Sequence, residues 1–572
     1  MKKVLCLMLC TLLLAGCSNT VTEVSPVETT LETTSVSPAI PAETYPAPEY
    51  VSRFQNVTEI LLSDEGITVD GGQETSAVFT THDITYYEDK ETYVSGNPYG
   101  EGSPDERHTS EEADAHTVIN ITQPGAYRIS GTLSAGQIRV DLGVDCYYNE
   151  EAVVELILQD ANITCTVAPA ILFLNIYECD GNWSTDTAKP DVDTAAAGAN
   201  LILEGSNTVS GSHVAKIFKD KEGEKKLWKQ DGAIYSYMSM NVFGPGSLDL
   251  TADNEGLDTE LHLTMNGGDI RIFSDNDGIN TNEDGVSVTT INGGSLSIYA
   301  GLGAEGDGID SNGYLVINGG TVIASANPMA DAGLDSDLGS FIHGGTVLAF
   351  GSTMDWAESD SRQVAMNLQF ASRQEAGSRI IVTRQDGTEL FSYESHSEFD
   401  RSFSGVILSH PSFAQGDTYH LYVNGKQMSY TGTDVGFGPG GFGGMGPGKM
   451  PGNFNPEEMP EGFDPGNLPE GGFGRGDLPE GFNPDNLPEG FNPDNLPEGG
   501  FGPGELPDGF DFGTMPDGGF DRGERPEGFN PGEMPEGGFG NRGERPQQAE
   551  GEASVDFYIN DMVNCFSGIQ AL

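Results

Sequence analysis

Between residues 60 and 351 the apolar positions come in short alternating runs, divided by Gly, Asn and Asp. Examples are "GSLDLTA" from Gly246, "GGDIRIFS" from Gly267, "GGSLSIYA" from Gly293, "GGTVIASA" from Gly319 and "GGTVLAFG" from Gly344. A period of two is the strand period, and it places Ile270, Ile272, Leu296 and Ile298 on one inner face. Helical periodicity is nearly absent. The chain is therefore expected to be all-β.

The runs also recur in register. The second glycine of each Gly-Gly pair falls at Gly268, Gly294, Gly320 and Gly345, at spacings of 26, 26 and 25 residues. A fixed period in the twenties is the signature of a solenoid, in which each repeat stacks on the next. The spacing suits one coil of a parallel β-helix. The Leu/Asn consensus of leucine-rich repeats is missing, and the nonapeptide calcium roll needs a much shorter period. An antiparallel sandwich would have no need of in-register repeats. The Gly-Gly pairs fit tight corners, where positive φ excludes most side chains.

Outside the repeat the pattern changes several times. Residues 1–17 read as a secretory signal, with Lys2 and Lys3 before an apolar run too short to span a bilayer. Its end, Leu14-Ala15-Gly16-Cys17, resembles the bacterial lipoprotein box and predicts lipidation at Cys17. That would tether the protein to the outer face of the cell membrane. Residues 18–48, rich in Ser, Thr, Pro and Glu, predict a disordered spacer. Residues 49–355 would form the β-helix, and 356–432, with longer alternating strands, a small antiparallel unit. Residues 433–552 are degenerate repeats such as "NLPEGFNPD", a composition that cannot bury a core. An apolar strand pattern returns at 553–572, and Val555 to Ile559 is expected to dock on the antiparallel unit. Cys146, Cys165, Cys179 and Cys565 follow the signal, as one disulfide or as buried thiols.

Charge narrows the choice of partner. With 88 acidic against 27 basic residues, the formal net charge is −61, which excludes nucleic acid. Much of the acid sits in the repeat, as "ADNEGLDTE" from Ala252, "SDNDGINTN" from Ser274, "AEGDGIDSN" from Ala304 and "MADAGLDSD" from Met329. Carboxylates on adjacent strands would lie about 4.8 Å apart and repel by roughly 3 kcal/mol at an effective dielectric near 20. Such a column needs solvent, protons or a cation. Calcium suits it, because it takes six to eight oxygens from carboxylates, amides and carbonyls. The plainer reading is that Asp and Asn cap the turns themselves. An EF-hand is excluded, since Gly278 holds the fourth loop position and no twelfth-position Glu follows.

A basic cluster, "KIFKDKEGEKKLWK" from Lys216, offers Lys225, Lys226, Trp228 and Lys229 as a carbohydrate-gripping loop; a solvated insertion is the alternative. The chain resembles the secreted clostridial carbohydrate-binding parallel β-helix family, whose members are similar in fold to pectate lyases. The resemblance runs over about 60–423. It rests on "GAYRISGTLSAGQIRVD" from Gly125, "AIYSYMSMNVFGPGSLDLTA" from Ala233, and the Gly-Ile/Leu-Asp turns before each Gly-Gly strand. It implies a right-handed β-helix holding Ca2+ and binding plant cell-wall polysaccharide, pectin-like or cellulose. It also implies Asp258, Asp277, Asn280, Asp307, Asp310 and Asp335 as calcium ligands, with Asn280 standing where an Asp is usual. The expected protein is a monomeric, lipid-anchored binder. A calcium-dependent polysaccharide lyase and a structural or adhesive surface protein are the alternatives. For the lyase, Arg271 is the only Lys or Arg between Asp231 and Phe350, and alternation points it outward.

Overall fold

Three ladders of parallel strands run the length of the main body. In the computed structural model the described residues are 50–87, 106–217, 228–352, 355–395, 397–433 and 553–572. Cys17, the 18–48 segment, Lys225, Lys226 and residues 434–552 lie outside them. One pass of the chain shows how the ladders are fed. Strand Asp269–Ser274 leads to Ile279–Thr281, then to Val288–Ile291, and Ser295–Tyr299 then pairs in parallel with Asp269–Ser274. Each strand therefore meets its equivalent from the next pass, not its neighbour in sequence.

The Gly-Gly spacing sets the register. Ile270 pairs with Leu296, Leu296 with Val322, and Val322 with Val347. Their apolar faces point inward, and Ile270, Ile272, Leu296, Ile298, Val322 and Val347 are all buried in one core. Burial of each such side chain contributes about 1.5–3 kcal/mol. The corner glycines take the left-handed conformation, with φ of 97° at Gly268, 89° at Gly294, 80° at Gly320 and 86° at Gly345. A side chain there would be strained.

The second ladder carries the acidic turns. Leu257, Ile279, Ile309 and Leu334 pair in sequence and face the core. The third runs through Met240–Phe243, His262–Met265, Val288–Ile291, Tyr314–Ile317 and Gly339–Ile342.

The parallel stack ends on antiparallel strands. Thr346–Gly351 pairs with Phe403–Ser409, which pairs in turn with Ala365–Gln374. Val563–Ala571 then lies parallel to Ala365–Gln374, and Phe557–Tyr558 pairs antiparallel with Thr418–Tyr419. These strands cover an edge that would otherwise offer unpaired amides to another chain. Cys146, Cys165, Cys179 and Cys565 form no disulfide among the described residues. Among the described residues no helix is long and apolar enough to cross a membrane.

Candidate metal and carbohydrate sites

The parallel register assembles the acidic turns into columns. Asp258, Asn280, Asp310 and Asp335 are successive partners in the second ladder. Three residues before each of the first three stand Glu255, Asp277 and Asp307 respectively. Between the columns, Gly256, Gly278 and Gly308 stack so closely that no side chain fits. A Cβ on Gly256 would meet the Gly278 carbonyl oxygen at 2.5 Å, and one on Gly278 the Gly308 oxygen at 2.6 Å.

Burial makes the carboxyls protonate more readily. It is the largest cause at every one of them. It pushes Glu255 well above the usual carboxylate range, with Asp258 and Asp231 adding to the effect, and Asp258 likewise, with Asp231 and Glu260 adding to it. Asp277 and Asp307 rise for the same reason, with Glu255 and Asp277 respectively as the leading acidic neighbours. Asp310 is pushed to about 7, and so is Asp355. Asp335 is also raised. Some members find local partners: Asp277 Oδ1 accepts from the Asp307 amide at 2.6 Å, and Asp307 Oδ1 from the Ala332 amide at 2.5 Å.

Among the described residues, convergence occurs at one place. Asp231, Glu255 and Asp258, all buried, bring a carboxylate oxygen each within 4.8 Å of the others. Gly232 permits this, since a Cβ there would touch the Asp258 Cβ at 2.6 Å. Lys229 Nζ stands 2.7 Å from Asp231 Oδ2 and supplies one positive charge. Asn280 donates from Nδ2 to Glu255 Oε1 at 3.2 Å. Its Oδ1, together with Glu255 Oε2 and Asp258 Oδ2, is buried without a hydrogen-bond partner. Buried orphan oxygens are costly, and an all-oxygen donor set of this kind fits a hard cation such as Ca2+. Asp231, Glu255, Asp258 and Asn280 are the residues that would hold it.

Of the six ligands that the family resemblance implied, Asp258 and Asn280 lie at this cluster. Asp277 is joined to Asp307 through the Asp307 amide, and Asp310 and Asp335 are ladder partners, but no third ligand converges on either pair among the described residues. Asp231 escaped the sequence reading because it precedes the repeat and has no counterpart in later turns. Lys229 faces Asp231, and of the basic loop little else is described.

A second feature lies on the outer side of the third ladder. Asn266, Asn292 and Asn318 form a ladder of amides, Asn292 Nδ2 donating to Asn266 Oδ1 and Asn318 Nδ2 to Asn292 Oδ1, each at 2.9 Å. They line a groove of about 740 Å3 together with Thr290, His343 and Arg362. The signal was in the sequence, as Asn-Gly-Gly at the 26-residue spacing, but the glycines drew attention to the turn alone. A surface aromatic group lies elsewhere: Trp183 Nε1 donates to the Tyr147 hydroxyl at 2.7 Å, beside the exposed Tyr148.

Arg271 is held by Asp249, with Nε to Oδ1 and Nη2 to Oδ2 both at 2.7 Å. Both side chains are largely exposed, so the pair contributes little. Replacing Arg271 with Ala is expected to shift stability by less than about 1 kcal/mol in a urea titration. A larger loss would give this pair a structural role.

Residues 115–385 match the model of a family described as carbohydrate-binding domain-containing protein. A curated relative of that description, from Acetivibrio thermocellus, is 29% identical over 155 residues. The match covers 27% of this chain and 44% of the relative's length. A solved structure called the polysaccharide lyase-like protein from C. thermocellum, a gadolinium derivative, aligns over 51% of this chain and 93% of its own at a TM-score of 0.30 and 20% identity. By sequence, the stacked portion of this chain is similar to carbohydrate-binding domain-containing proteins.

Proposed function

We propose that this protein is a calcium-dependent carbohydrate-binding module of the cell surface, built as a right-handed parallel β-helix. Its ligand is plant cell-wall polysaccharide, and Cys17 carries its lipid anchor. The carbohydrate reading is carried by the family match over residues 115–385. Calcium is supported by the buried Asp231–Glu255–Asp258 cluster and its orphan oxygens. Bound there, the ion would neutralise the cluster and hold three neighbouring passes of chain in one geometry.

A glycan array run with calcium and again in chelator tests both halves. Retention on pectin-like or cellulosic glycans in calcium, and its loss in chelator, is the expected result. Equal retention in chelator would remove the calcium dependence; no retention at all would remove the carbohydrate. Asp258→Asn is expected to weaken calcium binding at least tenfold by titration calorimetry. An unchanged affinity would place the ion elsewhere.

A further inference from the structure

The outer groove of the third ladder repeats hydrogen-bonding side chains at the spacing of the strands. Asn241, Thr264, Thr290, Val316 and Phe341 are successive partners in register. Thr194 covers the first two, donating to Asn241 Oδ1 or to Thr264 Oγ1 at 2.8 and 2.7 Å. Thr290 and the amide column of Asn292 and Asn318 remain partly open to solvent. His343 continues that column on the next pass, 6.2 Å from the Phe341 ring centroid.

The chemistry of the column is that of an unfilled template. An Asn side chain has two N–H donors and a carbonyl with two lone pairs. The amide ladder uses one donor and one lone pair of Asn292. One N–H and one lone pair are left over, and Asn318 likewise keeps donors and lone pairs beyond its single ladder bond. Strands in a sheet repeat at about 4.8 Å, and a pyranose unit in an extended chain advances by a comparable length. A glycan laid along the stack would therefore meet the same donors and acceptors at each sugar.

Charge selects among glycans. Asp191 and Asp193 stand exposed at one end of the groove, and its middle is neutral amide and hydroxyl. The one permanent cation of the lining, Arg362, lies exposed at the other end and forms no ion pair among the described residues. A chain carrying a carboxylate on every unit would be repelled by the acidic end and matched by a single cation. A neutral chain meets no such conflict. At the Arg362 end, burial and that guanidinium hold the His343 imidazole below its usual range, so near neutral pH it enters as an uncharged hydrogen-bonding group.

We propose that this groove binds a neutral, unbranched polysaccharide chain in extended form, lying parallel to the stack with one sugar unit per strand. This rests on the carbohydrate-binding reading and fixes where on the molecule, and on which class of glycan, it operates. The arrangement differs from a flat aromatic platform such as Tyr147, Tyr148 and Trp183, because specificity comes from register, not from ring stacking.

The test measures binding of cellohexaose, xylohexaose and polygalacturonate to the full chain in calcium, by calorimetry and by affinity electrophoresis. Asn318→Ala removes one rung of the template. Thr290→Arg, independent of the amide ladder, places a long side chain across the groove. Melting curves matched to wild type qualify each variant as folded. Both are expected to lose at least tenfold in affinity for one neutral oligosaccharide, while Trp183→Ala stays within threefold of wild type. Wild-type affinity in both folded groove variants would overturn the assignment. So would binding of polygalacturonate alone, which would leave the carbohydrate reading standing. Failure of the wild type to bind any of the three would overturn both.

Discussion

In chelator, the melting temperature of this protein is expected to fall as pH rises from about 5 to 8, and added calcium is expected to abolish that fall. The sign follows from the buried carboxyls. Asp310 and Asp355 titrate near 7 in the folded chain against an ordinary value of 3.8. The folded state thus holds protons that the unfolded state has already released. Stability is undiminished below the unfolded value, declines through the window between the two, and is lowest above about 7. Each of these groups costs on the order of 4 kcal/mol at pH 8 when no cation is bound. Glu255, Asp258, Asp277 and Asp307 shift in the same direction. Against the 5–15 kcal/mol typical of a folded domain these are large terms. A drop of more than about 10 °C is expected for a chain of this size. Calcium reverses it by mass action, with about 4 kcal/mol at a thousandfold excess over its Kd. Differential scanning calorimetry at three pH values, with EDTA and with calcium, provides the measurement. A flat or rising melting temperature in EDTA would mean that the columns are ionised at no cost, and the case for structural calcium would fall with it.

The second large effect is steric. Gly278→Ala is expected to destabilise the protein by about 3 kcal/mol, near the top of the range for overpacked cores. Its new methyl would sit 2.2 Å from Ile298 Cγ2 and 2.6 Å from the Gly308 carbonyl oxygen. The second contact is with backbone, so no rotamer change relieves it. Gly181→Ala is the control, since a Cβ there meets nothing within 4 Å. That change is expected to stay within about 0.5 kcal/mol. Chemical denaturation in chelator separates the two without involving the metal. Equal, small effects would mean that adjacent passes can spread apart at the acidic turn, and the close stacking of Gly256, Gly278 and Gly308 would lose its meaning.

The sequence disclosed the first ladder most fully, because its Gly-Gly corners recur at nearly constant spacing and its alternation is strict. The second ladder was harder to read. Its partners lie 22, 30 and 25 residues apart, at Leu257, Ile279, Ile309 and Leu334. Loops of unequal length hide the register, although the Asp-rich turns still mark it. Which carboxylates would converge was not legible. Asp231 belongs to no repeat, and it reaches Asp258 because Gly232 removes the side chain between them. Convergence of that kind is a property of three passes at once. The amide ladder was legible in Asn266, Asn292 and Asn318, but the same letters describe an ordinary turn. Only the outward groove beside them gives the amides a use.

The strand Val563–Ala571 has a further consequence. The chain leaves the antiparallel strands near Tyr430 and Gly432 and comes back beside the same residues, at Ser554 and Ser567. A protease that cut anywhere between residues 434 and 552 would thus divide the covalent chain while leaving its last strand clasped by Ala365–Gln374. Cut in this way, the molecule would still migrate as one until a denaturant parted its two pieces.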